Sequence, residues 1–238
     1  MSFDLDPTCI LYEEGPCLAI AKPAGLLTQA PPGIDSLEVR IKRFLKERDH
    51  KPGGVYLGVP HRLDRAVSGA MVFAKHVRAA RRLAKQFEAR TVKKTYWACV
   101  AGHVETDAGT WEDRVRKIPA EARAEIVAED DPSGRAAVLH FRKLGDFAWG
   151  TWLELELVTG RMHQIRLQAA SRGHPVLGDR HYGSSVAFGE QFEDERQRAI
   201  ALHGRRLAFN HPMTHGPVAV EAPLPAAWHA LGIGALQL

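Results

Sequence analysis

Three short polar stretches hold residue types able to do chemistry. In His61-Arg62-Leu63-Asp64-Arg65 one carboxylate stands between two guanidinium groups, in a loop between two apolar runs. Flanking arginines lower a carboxylate's pKa, and an ionised carboxylate serves as nucleophile or base. Taken alone, such a trio is more often a structural salt bridge. The second stretch, Thr159-Gly160-Arg161-Met162-His163-Gln164-Ile165-Arg166, follows a strand pattern and opens a helix. Glycine permits a tight turn there, and two arginines near a helix N-terminus suit an anion; the plain alternative is a capped helix start. The third, Lys93-Lys94-Thr95-Tyr96, sets a phenol at the start of a strand, where tyrosine usually packs.

Other chemistries lack their residues. No G-x-x-x-x-G-K-[ST] or G-x-G-x-x-G loop offers a phosphate cradle, no H-E-x-x-H or Cys/His cluster offers a metal site, and no G-x-S-x-G elbow marks a serine hydrolase. Three cysteines, Cys9, Cys17 and Cys99, form no C-x-x-C pair, which argues against a disulfide framework and a structural zinc. The 238 residues are 45% hydrophobic and 25% charged, a globular composition far from that of disordered chains. The longest apolar runs, such as Cys17–Ala21, are strand-sized, so no membrane span is expected. The acidic start, Met1 to Asp6, has no signal-peptide pattern. A cytoplasmic protein is expected, with a monomer as the simplest state.

The positioning elements follow from periodicity. The net charge is only +4, yet Lys75 to Lys94 carries +7 and the remainder −3. Within that stretch Val77, Ala80, Ala84 and Phe87 recur at helical spacing, with Arg78, Arg81, Arg82 and Lys85 roughly opposite. That ridge is either a solvated face or a row of phosphate contacts. A second amphipathic basic helix spans Ser36 to His50, with Asp35 as N-cap, Glu38 three residues on, and a stripe of Leu37, Ile41, Phe44 and Leu45. Strands are expected at 10–12, 17–21, 55–59, 70–74, 91–100, 136–144, 151–158, 202–209 and 218–221, with turns at Glu14-Gly15-Pro16 and Gly145-Asp146. In 151–158 Leu153, Leu155 and Leu157 form a dry face and Trp152, Glu154 and Glu156 a wet one. A helix from Met162 to Ser171 stops at Gly173 and Pro175, and a short one follows Pro225. Glu121–Asp131 reads as an acidic surface excursion. Many strands, few helices and several hairpins predict an α+β fold with a largely antiparallel sheet.

Taken together the stretches resemble the RluA-like pseudouridine synthases. HRLDRAVSGAMVFAKH at 61–76 is similar to that family's signature. IAKPAGLLT at 20–28, KKTYWACVAG at 93–102, TGRMHQIRLQAASRGHPVLGDRHYG at 159–183 and LHGRRLAFNHP at 202–212 are similar to its other motifs, in family order and spacing. Two positions depart from the pattern, Val67 where threonine is common and Gln168 where histidine is usual.

The resemblance implies a single catalytic domain over 1–238 with a central, largely antiparallel mixed sheet, no S4-type domain, and isomerisation of uridine to pseudouridine in ribosomal or transfer RNA. Asp64 matches the family's essential aspartate, Tyr96 its active-site tyrosine, and Arg166 the basic residue paired with the aspartate. Arg62 matches the residue that takes the place of the displaced uridine. His61, Arg161, His163, Gln164, Arg78, Arg82 and Lys85 are the expected contacts to RNA. No metal or other cofactor is required. Two rival readings remain at this point: an RNA-binding or ribosome-assembly protein of the same fold, and a hydrolase that cuts the N-glycosidic bond.

Overall fold

The computed structural model describes residues 7–233, so the acidic start at 1–6 lies outside them. In chain order the strands and helices are β1 (Ile10–Glu14), β2 (Cys17–Lys22), α1 (Leu37–Arg48), β3 (Ser68–Ala74), α2 (Val77–Glu88), β4 (Lys93–Ala101), β5 (Ala108–Lys117), β6 (Ala124–Val127), β7 (Arg135–Phe147), β8 (Gly150–Leu157), α3 (Gln164–Ser171), β9 (Leu202–Asn210), β10 (Pro217–Glu221) and α4 (Ala226–His229). The fold is α+β, as the alternation of hairpins and few helices predicts. Two compact units divide it: one runs through Lys94 and takes in Asp194–Gln197 and Gly204–Pro225, the other holds Thr95–Glu193, Arg198–His203 and the residues from Ala226 on.

In the first unit the strand order is β1-β2-β3-β9, with β10 antiparallel to β9. Antiparallel pairing of β1 to β2 and of β2 to β3 sets Cys17 opposite Ala74 and Lys22 opposite Gly69. That register puts Lys22 beside the loop that leads into β3. The core joins Cys17, Ala19, Val72 and Ala74 to Ala79 and Leu83 of α2 and to Leu207, Phe209 and Val220. Fully burying a leucine such as Leu83 contributes roughly 1.5–3 kcal/mol.

Both helices of this unit correct details of the sequence reading. Ser36, not Asp35, caps α1, its hydroxyl accepting from the Val39 N–H, while Asp35 pairs with Arg40. Leu37, Ile41 and Leu45 are buried as expected, and Phe44 is only partly covered, with the Arg48 guanidinium over its ring. In α2 the buried face is Ala79 and Leu83, flanked by Ala80 and Phe87; Val77 is exposed. The 55–59 segment contributes only a bridge, Gly58 to Ala74, in place of a strand.

In the second unit the order is β4-β8-β7-β5-β6, antiparallel throughout the pairs β4–β8, β7–β8, β5–β7 and β5–β6. β5 and β6 were not expected, and β6 lies inside the acidic excursion. The turn between β7 and β8 falls at Ala148-Trp149, because Gly145 serves instead in an irregularity of the β7 ladder. Leu153 and Leu155 are buried and Glu156 is exposed, but Trp152 is also buried, edge-on to Trp97. Helix α3 starts two residues later than predicted and packs Leu167 against Val115, Ala124 and Tyr182.

Candidate active site

The Asp64 loop is built from backbone bonds and buried donors of the first unit. Leu63 is buried, and its carbonyl accepts from the Thr28 hydroxyl at 2.9 Å while its N–H donates back to that oxygen at 3.3 Å. The Asp64 carbonyl accepts from the Val67 N–H at 3.1 Å, closing a tight turn. The Arg65 carbonyl accepts from the Gly25 N–H at 2.7 Å, and Arg65 Nε donates to the Gly25 carbonyl at 2.8 Å. Gly25 has φ +82°, and a Cβ there would fall 2.7 Å from the Gln197 carbonyl oxygen. Arg65 therefore holds the loop, whereas Arg62 is exposed and Asp64 half-buried.

Lys22 fastens the same loop from beneath. Its ammonium is buried and donates to the carbonyls of Pro23 at 2.8 Å, Val67 at 2.8 Å and Arg65 at 3.3 Å. Burial pulls its pKa down to about 7, with Asp64 acting in the opposite sense and Arg65 in the same one. Three carbonyl acceptors match the three donors of an ammonium. His61 is also structural in its contacts: its Nε2 accepts from the Val72 N–H at 3.0 Å, and its ring stacks on Phe87 at 4.5 Å. Burial, then the charge of Lys94, push its pKa down to about 3, so it is neutral at physiological pH.

Arg78 and Lys85 of the predicted RNA contacts are exposed on α2, as is Arg81. Arg82 is half-buried, and its Nη1 donates to the Pro212 carbonyl at 2.8 Å, tying the helix to the chain after β9.

In the second unit, Tyr96 is half-buried on β4, opposite Leu155 of β8. Arg166 is buried on α3, where Nε and Nη2 donate to the two carboxylate oxygens of Asp179 at 2.6 and 2.8 Å. Asp179 is buried too, and a two-bond fork of this kind fixes the plane of the guanidinium. The Arg166 guanidinium also lies 5.1 Å from the centre of the Tyr182 ring. Burial raises the Tyr182 pKa, so its hydroxyl keeps its proton and bonds with His163 Nδ1 at 3.0 Å.

The turn before α3 is organised by glutamine. Gln164 is buried; its Oε1 accepts from the Thr159 hydroxyl and the Arg161 N–H, and its Nε2 donates to the Val138 carbonyl. Gln168 donates to Asp113 Oδ2 at 2.6 Å. Arg161 Nε donates to the Ala136 carbonyl at 2.9 Å. His163 adopts a left-handed conformation, φ 52°, to start the helix. Gln164 thus organises its own chain, while Arg161 and His163 remain partly exposed.

The structure thus groups His61, Arg62 and Asp64 on one loop of the first unit, and Arg161, His163, Gln164 and Arg166 on one turn of the second. Lys22, Thr28, Asp179 and Tyr182 are the positioning residues that the sequence reading did not single out. The first two lie in IAKPAGLLT and the last two in GDRHYG, so the signal was present without their contacts. Among the described residues no group of three His, Cys, Asp or Glu is placed to hold a metal, and no helix is long and apolar enough to cross a membrane.

Comparisons with known proteins bear on this arrangement. Residues 17–171 match the family model described as RNA pseudouridylate synthase. The chain is 35% identical over 226 residues to a ribosomal large subunit pseudouridine synthase D of Xanthomonas campestris, covering 92% of this chain and 66% of that one. It is 36% identical to the dual-specificity RNA pseudouridine synthase RluA of Vibrio vulnificus, covering 88% and 81%. It thus spans about two thirds of the length of several curated relatives. Among solved structures, the human RNA pseudouridylate synthase domain containing 1 superposes with a TM-score of 0.68 at 25% identity, covering 92% of this chain and 84% of that one. The human domain containing 4 shares the fold, with a TM-score of 0.76 at 21% identity over 94% and 93%. With the motifs in place and the fold shared, the chain belongs to the RNA pseudouridylate synthase family.

Proposed function

We propose that this chain isomerises uridine to pseudouridine in RNA, with Asp64 as the catalytic aspartate. The carrying observation is the Asp64 loop, held by Lys22, Thr28 and Gly25 through bonds to the backbone of residues 63–67. These anchors, with the Arg65 side chain on the Gly25 carbonyl, hold the loop's main chain and so preorganise the carboxylate's position before substrate arrives.

In the reaction we assign, the Asp64 carboxylate adds to ribose C1′ as the N1–C1′ bond breaks, and the electron pair of that bond stays on the uracil. The uracil turns, its C5 forms a bond to C1′, and the carboxylate departs. Loss of the C5 proton restores the aromatic ring, and N1 finishes protonated, so the product is an isomer of the substrate. Tyr96 handles the C5 proton. Arg166, its plane fixed by Asp179, supplies positive charge for this chemistry. Arg62, exposed two residues before Asp64, fills the place that the flipped uridine leaves. Flipping costs a few kcal/mol, least where the base is already unstacked, which favours loops of ribosomal or transfer RNA. The names of the ribosomal large subunit relatives support the ribosomal part of this reading.

Nucleoside analysis by liquid chromatography and mass spectrometry tests the proposal, after incubation with unmodified ribosomal and transfer RNA. Pseudouridine is expected with wild type and not with Asp64→Asn. RNA bound without conversion would move the reading to a binding or assembly protein, and free uracil would move it to a hydrolase.

A further inference from the structure

The two basic helices of the first unit differ in where their charge goes. On α1, Arg40 pairs with Asp35, Lys42 with Glu38, and Arg48 with Glu13 and Asp49. On α2, Arg78, Arg81 and Lys85 are exposed, and among the described residues no acidic group pairs with them. The helix's own acid, Glu88, follows all three. Three of the α1 cations are thus paired within the protein, whereas Arg78, Arg81 and Lys85 of α2 face solvent as a single-sign row.

An exposed tyrosine stands on the segment that packs against that helix. Tyr56 is 46% exposed, as is Val77 at the first position of α2. The Tyr56 hydroxyl and the Ala80 methyl both lie within 3.2 Å of the point that a Cβ on Gly58 would occupy. Glycine at 58 therefore lets the 56–61 segment run against α2. Gly58 is fixed by bonds to Ala74 in both directions, 2.8 and 3.0 Å, and His61 stacks on Phe87 at the far end of the helix. The segment follows the helix from Ala80 to Phe87, roughly 10 Å at helical rise, and Asp64 lies three residues beyond His61.

We propose that Tyr56 and the exposed row of α2 form a track for an unpaired RNA segment beside the target uridine, with phosphates on Arg78, Arg81 and Lys85 and a base stacked on Tyr56. Unpaired bases offer a free π-face while a duplex does not, and a cationic row with an aromatic step is how unpaired strands are held. Arg82, committed to the Pro212 carbonyl, is a helix anchor in this scheme and Arg81 takes its place. The inference rests on the RNA-modifying reading for the identity of the partner.

Equilibrium binding of an unstructured oligouridylate, over a series of potassium chloride concentrations, tests the track. Replacing Arg78, Arg81 and Lys85 together by glutamine is expected to reduce the salt slope of log K by about 2. Tyr56→Ala is expected to weaken binding about tenfold and Tyr56→Phe to bind as wild type does, because stacking needs the ring and not the hydroxyl. An unchanged slope, or Tyr56→Ala binding as wild type, would overturn the proposal, and so would a blunt-ended RNA duplex that loses as much affinity on Tyr56→Ala. Pseudouridine formation by the same proteins is followed in parallel on unmodified ribosomal and transfer RNA. Conversion with an unaltered slope removes the track and leaves the activity, whereas the expected binding changes without conversion keep the track and remove the activity.

Discussion

Arg166 and Asp179 are joined by two hydrogen bonds, 2.6 and 2.8 Å, in a place where neither side chain is exposed to solvent. Breaking a buried ion pair by removing one partner costs about 3–5 kcal/mol in general. Asp179→Asn is therefore expected to lower the unfolding free energy by that order, measured by denaturant titration. Asp179→Glu, which keeps the charge and shifts the fork, should recover part of the stability and little of the rate.

Asp64→Asn removes the carboxylate proposed as nucleophile and keeps the side-chain shape. Pseudouridine formation should fall to background while RNA affinity stays within a few fold of wild type. Substantial turnover in this variant would remove the covalent role assigned to the carboxylate.

Tyr96→Phe keeps the ring and loses the hydroxyl. Single-turnover conversion at saturating RNA should slow by about 10²–10⁴, the usual span for a positioned proton-transfer group. A wild-type rate would reduce Tyr96 to packing against the base.

Lys22 gives a stability prediction with a definite sign. Its pKa is about 7 in the folded protein and 10.5 as an ordinary lysine. Between those values the unfolded chain holds a proton that the folded chain has released, so this group's contribution to stability rises with pH from about 7 to about 10.5. The difference in unfolding free energy between wild type and Lys22→Met should widen in favour of wild type across that window. A flat difference would mean that the three carbonyls and Asp64 keep the ammonium charged in both states.

His61 works in the acid range. Folded, its pKa is about 3 against an ordinary 6.5; below pH 6.5 the unfolded chain takes up a proton that the folded chain refuses, and stability drops as pH falls toward 3. Its ring resonance in a proton NMR titration, identified by loss in His61→Gln, should show no protonation above about pH 4. A midpoint near 6.5 would contradict the stacked, bonded ring.

Local signals made much of this legible, and tertiary choices made the rest opaque. The Asp64 loop, α2 and the β7–β8 strands follow from periodicity, although the turn between those strands lies at Ala148-Trp149 and not at Gly145-Asp146. The face of α2 did not, because alanine at 79, 80 and 84 gives two nearly equal apolar stripes and only the neighbouring strands choose Ala79 and Leu83. Asp35 and Ser36 are both good caps, and Arg40 decides between them by claiming the aspartate. β5 was missed because Trp111 and Val115 are the only buried residues along it, too sparse for an alternation. Asp179 reads as a loop residue, and its significance rests on an arginine thirteen positions earlier on α3. Every chemical residue type was visible; which side chains serve the site and which serve the chain was not.

The bonds that hold the Asp64 loop span 35 residues from Thr28 to Leu63, 40 from Gly25 to Arg65 and 45 from Lys22 to Val67. Contacts of such range form only after the loop-closure entropy between them has been met, and they come late relative to helices and hairpins. During synthesis the 20–28 segment emerges well before its partners, and Lys22 waits for carbonyls that have not yet been made. A nascent or truncated chain therefore carries Asp64 without its setting. The setting proposed for Asp64 is complete only once these long-range contacts of the first unit have formed.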